Sequence, residues 1–321
     1  MKTILLLHTG GTISMKVQAD GSVKPNEKNP ITDAKDTLSQ FAEIIELEAF
    51  NLPSPHITPA EMLQLRNLIV EQAAMYALDG VVITHGTDTL EETAYFLDLT
   101  TNFDFPIVLT GAMRSANELG ADGVYNLVEA VRVASDEKAR DKGVLVVMND
   151  EIHQAFNITK TSTSSVNTFQ SPQYGPIGLV TKKAIHIQQA PIRRQYVPLK
   201  AIEKRVALLK VYAGMEPDVL NSVMDSGYDG LVLEGFGQGN VPPAIAASIE
   251  QLVARDIPVV LVSRCFNGIA EGIYGYAGGG KQLEDVGVIF ANGINGQKAR
   301  LKLLIALNKT DTPIDLKHFF A

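Results

Sequence analysis

The sequence predicts a doubly wound α/β protein in two parts, and three observations carry that prediction. Short apolar runs rich in Val, Ile and Leu recur along most of the chain, amphipathic helical patterns stand between them, and the alternation breaks once, near residue 190. Runs of this kind read as strands buried on both faces, and strand–helix–strand alternation favours a parallel sheet covered by helices.

In order, the first part offers "TILLLH" (3–8), "GVVITH" (80–85), "PIVLTG" (106–111) and "GVLVVMN" (143–149) as strands. "ITPAEMLQLRNLIVEQAAMY" (57–76) reads as a helix with Thr58 as N-cap, Pro59 at the first helical position and Glu61 completing a capping box. Its apolar stripe runs Met62, Leu65, Leu68, Ile69, Ala73 and Tyr76. "DGVYNLVEAVRVAS" (122–135) repeats the pattern with Val124, Leu127, Val128 and Val131. "QQAPIRRQYVPLKAIEKR" (188–205), with its prolines and charges, reads as a linker. The expected division is a domain at 1–189, a linker at 190–205 and a second α/β domain at 206–321. That domain offers "RVALLKVYAG", "GYDGLVLEGFG", "IPVVLVSR" and "GVIFANG" as strands, and "PPAIAASIEQLVARD" and "NGQKARLKLLIALNK" as helices.

Composition narrows the function. The 321 residues carry a formal net charge of −8, which argues against a nucleic-acid partner. The mildly basic "KKAIHIQQAPIRRQ" (182–195) reads as a solvated segment. The single cysteine, Cys265, excludes an intrachain disulfide framework and, after an apolar run, reads as an inert core thiol. The apolar start, Ile4 to Leu7, is short for a signal-peptide core, and no run approaches the roughly 20 residues that span a bilayer. A cytoplasmic protein with no membrane association is the expectation.

Two stretches rhyme: "ILLLHTGGTIS" (4–14) and "VVITHGTDTLEE" (81–92) each run apolar, reach a histidine, break on glycine and present a threonine. In open α/β sheets, ligands bind beyond the carboxyl ends of strands. Thr12 and Thr87 lie just past two such ends, beside Gly10, Gly11 and Gly86, where backbone donors can meet an anion or a developing oxyanion. Either threonine also fits a plain turn or cap. Asp88 suits an ammonium group on a substrate, or else caps the helix beginning "TLEETAYFL". Lys160, in "NITKTSTSS" (157–165), can serve a hydroxyl nucleophile as base if desolvation lowers its pKa against the pull of Asp88. His8 and His85 read as satisfied core histidines. "TGGT" lacks the dinucleotide-binding glycine spacing, and no metal-ligand spacing occurs, so neither cofactor nor metal is expected.

Together "TGGTI" (9–13), "HGTDT" (85–89), "TGAMR" (110–114), "ADGVYNL" (121–127) and "TKTSTSS" (159–165) resemble the bacterial-type L-asparaginase family. "GFGQGN" (235–240) and "NGQKARLKL" (295–303) extend the resemblance over essentially the whole chain. It implies a flavodoxin-like N-terminal domain, a smaller α/β C-terminal domain and hydrolysis of L-asparagine to L-aspartate and ammonia, with minor glutaminase activity. Thr12 would be the nucleophile of an aspartyl-enzyme ester, and Thr87, Asp88 and Lys160 the second catalytic set. Asp88 would also bind the α-ammonium and Ser54 the α-carboxylate. Gly11, Thr87 and Ala112 would shape the amide pocket. Asn240 matches a residue contributed across a subunit boundary, which implies a homodimer or homotetramer.

The sequence departs from the family at two places. Periplasmic-type members carry a tyrosine in the flap after the first threonine, whereas "MKVQADGSVKPNEKNP" (15–30) has none; its composition still fits a mobile lid. Glu271, Tyr274 and Tyr276 are the downstream residues of matching type. Pro55 stands where a glutamine often follows the Ser54 position, which removes a donor. Two rival readings remain: the ammonia-producing subunit of a tRNA-dependent amidotransferase, which carries an extra β-rich domain ahead of its "TGGT" motif, and a catalytically dead sensor of acidic amino acids or their amides.

Overall fold

The first apolar run forms β1 (Thr3–His8), with Ile4 to Leu7 almost wholly excluded from water. The structure, a computed structural model, describes residues 1–18, 20, 22–25, 35–190, 195–309 and 312–321. Residues 191–194 of the expected linker, and 19, 21 and 26–30 of the segment 15–30, lie outside the described residues. The chain divides into two units, Met1–Tyr196 and Val197–Ala321.

In the first unit β1 is followed by β2 (Met15–Val17), β3 (Val23–Pro25), α1 (Lys35–Leu38), β4 (Glu43–Glu48), α2 (Pro59–Met75), β5 (Gly80–Thr84), α3 (Leu90–Thr100), β6 (Ile107–Thr110) and α4 (Gly123–Ala134). Then come β7 (Val144–Met148), β8 (Glu151–Gln154), β9 (Thr159–Lys160), β10 (Phe169–Gln170), β11 (Gly178–Val180) and β12 (Ile185–Ile187). Eight strands make one sheet in the order β4-β1-β5-β6-β7-β8-β11-β12. The first five are mutually parallel and the last three join antiparallel. The parallel part therefore has the flavodoxin-like order second-first-third-fourth-fifth. From β1 the chain passes to one side to make β4 and then to the other to make β5, so the topological switch lies between β1 and β5.

Alternation along the strands builds two cores. Ile4, Leu6, Val82, Val108 and Leu145 pack against Leu127, Ala130, Val131 and Ala134 of α4. Leu5, Leu7, Val81, Ile83 and Leu109 pack against Leu65 and Ile69 of α2 and Leu90, Ala94 and Leu97 of α3. Each fully buried aliphatic side chain contributes about 1.5–3 kcal/mol of transfer free energy. The capping box at Thr58 and Glu61 is present. Two stripe assignments need correction. Tyr76 lies beyond the end of α2 and is exposed, and Gln72 occupies the buried face one turn earlier. Val124 is exposed because the first turn of α4 turns Gly123 inward, where a Cβ would come within 2.9 Å of Ile13 Cγ1.

The second unit comprises β13 (Val206–Lys210), α5 (Pro217–Asp225), β14 (Gly230–Gly235), α6 (Pro243–Ala254), β15 (Val259–Ser263), α7 (Gly280–Asp285), β16 (Ile289–Phe290), α8 (Gly296–Leu307) and α9 (Leu316–Phe320). Its strands are all parallel in the simple order β13-β14-β15-β16. Leu231, Leu233, Val259 and Leu261 pack against Leu220, Ile245, Ile249 and Leu252. α8 lies close against β14, with Leu303 filling the space beside Gly230. Lys302 of α8 is buried under the rings of Phe319 and Phe320, 4.7 and 4.9 Å from their centroids, and burial pulls its pKa down to about 8. Cys265 is exposed, not a core thiol: the buried run of β15 ends at Val262, and Cys265 sits in the connection that follows Ser263.

Candidate active site

β1 and β5 lie side by side in parallel register, Leu7 opposite Ile83 and His8 opposite Thr84. Both chains leave the sheet at this level. Gly10 and Gly11 take φ of 99° and 86°, a conformation that glycine alone adopts without strain. A Cβ on Gly11 would stand 2.3 Å from Gly86 Cα, so the two loops meet backbone to backbone. The rhyme is thereby spatial: the turn carrying Thr12 and the loop carrying Thr87 are packed together at the switch point. Thr12 opens a single 3-10 turn, Thr12–Ser14, and is half-buried.

Thr87, Asp88 and Lys160 converge. Lys160 Nζ donates to Thr87 Oγ1 at 2.9 Å and to Asp88 Oδ1 at 2.7 Å. The lysine side chain is 17% exposed and the aspartate 58%, so the ammonium is held inward while the carboxylate still faces solvent. Thr87 itself is buried. Asp88 does not cap α3: its side chain accepts from Lys160, and N-cap Thr89 makes no side-chain cap bond. The Thr89 hydroxyl donates instead to the Ser54 carbonyl at 2.8 Å, and Asp88 N donates to Ser54 Oγ at 3.2 Å. Ser54 is buried in a 3-10 turn against Gly86, where a Cβ would meet its side chain at 2.7 Å. With Oγ accepting from Asp88 N, the Ser54 hydroxyl hydrogen is left to donate.

The two histidines brace this arrangement as neutral rings. His85 Nδ1 donates to Gly86 O at 2.8 Å, which leaves Nε2 to accept from the Thr93 hydroxyl at 2.9 Å. Complete burial pushes its pKa down to about 4. His8 Nε2 donates to Glu46 at 3.1 Å and its Nδ1 accepts from Thr84 at 2.8 Å. Burial lowers its pKa, against the pull of Glu46. Among the described residues no group of three His, Cys, Asp or Glu side chains is placed to hold a metal ion.

The loop after β6 forms a third wall. Gly111 lies against Thr87: a Cβ there would stand 2.6 Å from His85 O and 3.3 Å from Thr87 Cγ2. Ala112 is buried beside it. Buried Asn126 of α4 donates from Nδ2 to Gly111 O (3.0 Å) and Asp122 (3.1 Å), and accepts from Asn149 N (3.1 Å). Asp122 in turn accepts from Met113 N and Arg114 N. Farther along the loop, Asn117 bonds both Val17 N (2.9 Å) and Val17 O (3.0 Å), so the strand that follows Thr12 is tied to the loop that begins at Ala112. Glu129, buried beside Asp150, accepts from Asp150 N at 3.1 Å. Burial, with the neighbouring Asp150, raises its pKa to about 7.

The other sequence-derived candidates sit in different surroundings. Pro55 is exposed in the Ser54–His56 turn. Asn240 belongs to the second unit, where its Oδ1 accepts from Gly280 N at 3.1 Å. Glu271, Tyr274 and Tyr276 also lie there and are exposed. Asn126, Asn117 and Glu91 escaped sequence reading. Asn126 had one visible signal, a polar residue four positions after Asp122 and beside the apolar stripe of Leu127 and Val131.

The match to known proteins is consistent along the chain. Residues 3–193 match the family model "Asparaginase, N-terminal", and residues 205–320 match "Glutaminase/Asparaginase C-terminal domain". A "Probable L-asparaginase" of Deinococcus radiodurans is 39% identical over 321 residues, covering 99% of this chain and 96% of that one. "L-asparaginase 2" of Escherichia coli is 33% identical, covering 100% and 93%. "Glutaminase-asparaginase" of Pseudomonas aeruginosa is 31% identical, covering 100% and 90%. With both family domains present in order and a crevice built from the two threonine loops, the chain belongs to the asparaginase family.

Proposed function

We propose that this protein is an amidohydrolase that converts L-asparagine to L-aspartate and ammonia at the switch point between β1 and β5. The observation that carries the reading is Lys160, whose ammonium bridges the Thr87 hydroxyl and the Asp88 carboxylate beside the Gly11–Gly86 contact. The Thr12 hydroxyl attacks the side-chain amide carbon, backbone donors near Gly11, Thr87 and Ala112 stabilise the tetrahedral oxyanion, and the amide nitrogen leaves as ammonia after gaining a proton. The product is an aspartyl ester on Thr12. Water then attacks the ester with the help of the Thr87–Lys160–Asp88 set, the bond from the acyl carbon to the Thr12 oxygen breaks, the proton taken from water returns to that oxygen, and aspartate leaves. Asp88 holds the substrate α-ammonium and Ser54 the α-carboxylate, with Pro55 beside Ser54 in the binding set and Asn240 contributed to it across a subunit boundary. Minor hydrolysis of glutamine follows, since one methylene is worth only about 1–3 kcal/mol of discrimination.

Around this chemistry the proposal includes a catalytic domain at 1–189, a linker at 190–205 and a C-terminal domain at 206–321. It also includes a homodimer or homotetramer, supported by a run of exposed apolar side chains, Phe266, Ile269, Ile273, Tyr274 and Tyr276. Sedimentation equilibrium tests the assembly. A cytoplasmic site of action is tested by fractionation; among the described residues no helix is long and apolar enough to cross a membrane. The activity itself is tested by coupled detection of ammonia and aspartate from L-asparagine and L-glutamine. Stoichiometric release, faster from asparagine, is expected. Binding of asparagine without turnover would replace the enzyme with a sensor.

A further inference from the structure

Lys160 is gripped at both ends from one short stretch of chain. Its ammonium is bonded to Thr87 and Asp88, in the loop that leads into α3. Its main chain is held from the first turn of α3 itself: Glu91 Oε1 accepts from the Thr159 hydroxyl at 3.1 Å and from Lys160 N at 3.4 Å. β9 is only two residues long and pairs on its other side with β10, Lys160 opposite Phe169. A strand this short has few bonds of its own to fix where its side chains point. Glu91 is 4% exposed, and a buried carboxyl group is retained at a cost unless its bonds are needed.

We propose that Glu91 is a positioning residue that sets the height of Lys160 above Thr87 and Asp88 by holding β9 to the N-terminus of α3. The proposal rests on the reading of Lys160 as part of the proton-transfer set. Because Glu91 is buried in the first turn of α3 and acts through Lys160, its loss changes turnover more than substrate affinity.

The test compares Glu91→Ala, Glu91→Gln and Thr159→Val with intact protein, measuring kcat and KM for asparagine and deuterium exchange at the Lys160 amide. For Glu91→Ala, kcat falls about tenfold or more with KM changed less than about threefold, and exchange at Lys160 accelerates. Glu91→Gln retains an oxygen that accepts the same bonds, so both readouts return close to those of intact protein. Thr159→Val removes one bond and gives a smaller fall of the same kind; it also serves if Glu91→Ala does not fold. Unchanged kcat in Glu91→Ala with faster exchange would overturn the proposal, as would Glu91→Gln losing as much turnover as Glu91→Ala. Failure of the amidohydrolase reading is separable: intact protein would then release no ammonia, while slow exchange at Lys160 that depends on Glu91 would still support the grip, and its absence would overturn it.

Discussion

The eight-stranded and the four-stranded sheets share a parallel strand-and-helix unit, yet among the described residues only the first gathers the Thr, Asp and Lys cluster. In the first, β1 is flanked by β4 and β5, so the chains leaving β1 and β5 run on to opposite sides of the switch point beyond the contact of Gly11 with Gly86. In the second, β13 to β16 follow one another across the sheet and no neighbouring loops part in this way. Strand order, rather than strand composition, decides where side chains of catalytic type can meet a ligand. The lysines show the difference locally. Lys160 is bonded to a carboxylate and a hydroxyl, whereas Lys302 is buried against two aromatic rings.

That contrast breaks most visibly at Lys160. Lys160→Met is expected to lower kcat for asparagine about 10²–10⁴-fold, the range for loss of a positioned proton-transfer group, with Tm nearly unchanged. Lys302→Met is expected to do the reverse. Lowering of the Lys302 pKa from 10.5 to about 8 corresponds to about 3 kcal/mol. In the folded chain the group binds its proton less well than when unfolded, so this destabilisation is complete below about pH 8 and disappears as pH rises past the unfolded value. The variant therefore gains Tm at pH 7, gains little at pH 11 and keeps its kcat. Equal gains at both pH values would contradict the burial argument.

Glu129 sharpens the comparison within the first unit. Its pKa is raised from 4.5 to about 7, so the folded chain binds its proton more tightly than the unfolded chain does. Stability attached to this group is present below about pH 4.5 and lost as pH rises through 7, again about 3 kcal/mol in full. Glu129→Gln, which can still accept from Asp150 N, is expected to raise Tm at pH 8 and leave it unchanged at pH 4. Thermal scans at the two pH values decide it.

The smallest effect separates two threonines at helix starts. Thr58 caps α2, so Thr58→Ala should cost about 1 kcal/mol of stability and leave kinetics alone. Thr89 gives its hydroxyl to the Ser54 carbonyl instead of capping α3. Thr89→Ala should cost less stability but raise KM for asparagine severalfold. Identical behaviour of the two variants would mean that the Ser54 turn does not depend on Thr89.

Much of this was legible in the sequence because the signals were local. The parallel strands of the first unit that flank the crevice announce themselves by uninterrupted Val, Ile and Leu, and α2 by its box of Thr58, Pro59 and Glu61. The rhyme between the first and third parallel strands pointed to the crevice before any strand order was known. Edge strands were harder: β4, "EIIELE", is only partly buried and carries Glu at every polar position, so it lacks the buried-strand pattern. Cys265 was misplaced because an apolar run does not say where its strand stops. Glu91 and Asn126 were invisible for a different reason. Each is a polar residue in a helix that reads as ordinary, and its partner lies many residues away in the chain, at Thr159 and Lys160 or at Gly111 and Asn149.

The central claim is that two threonines from neighbouring strands serve one site. Its most direct test is a double-mutant cycle on ammonia release from L-asparagine, with Thr12→Ala, Thr87→Ala and the combined variant, each checked for native Tm. Residues that act as a unit are strongly non-additive, so either single change should remove nearly all activity and the double should be no worse. Losses that multiply, or a single variant that retains most of its turnover, would contradict a shared site at the switch point.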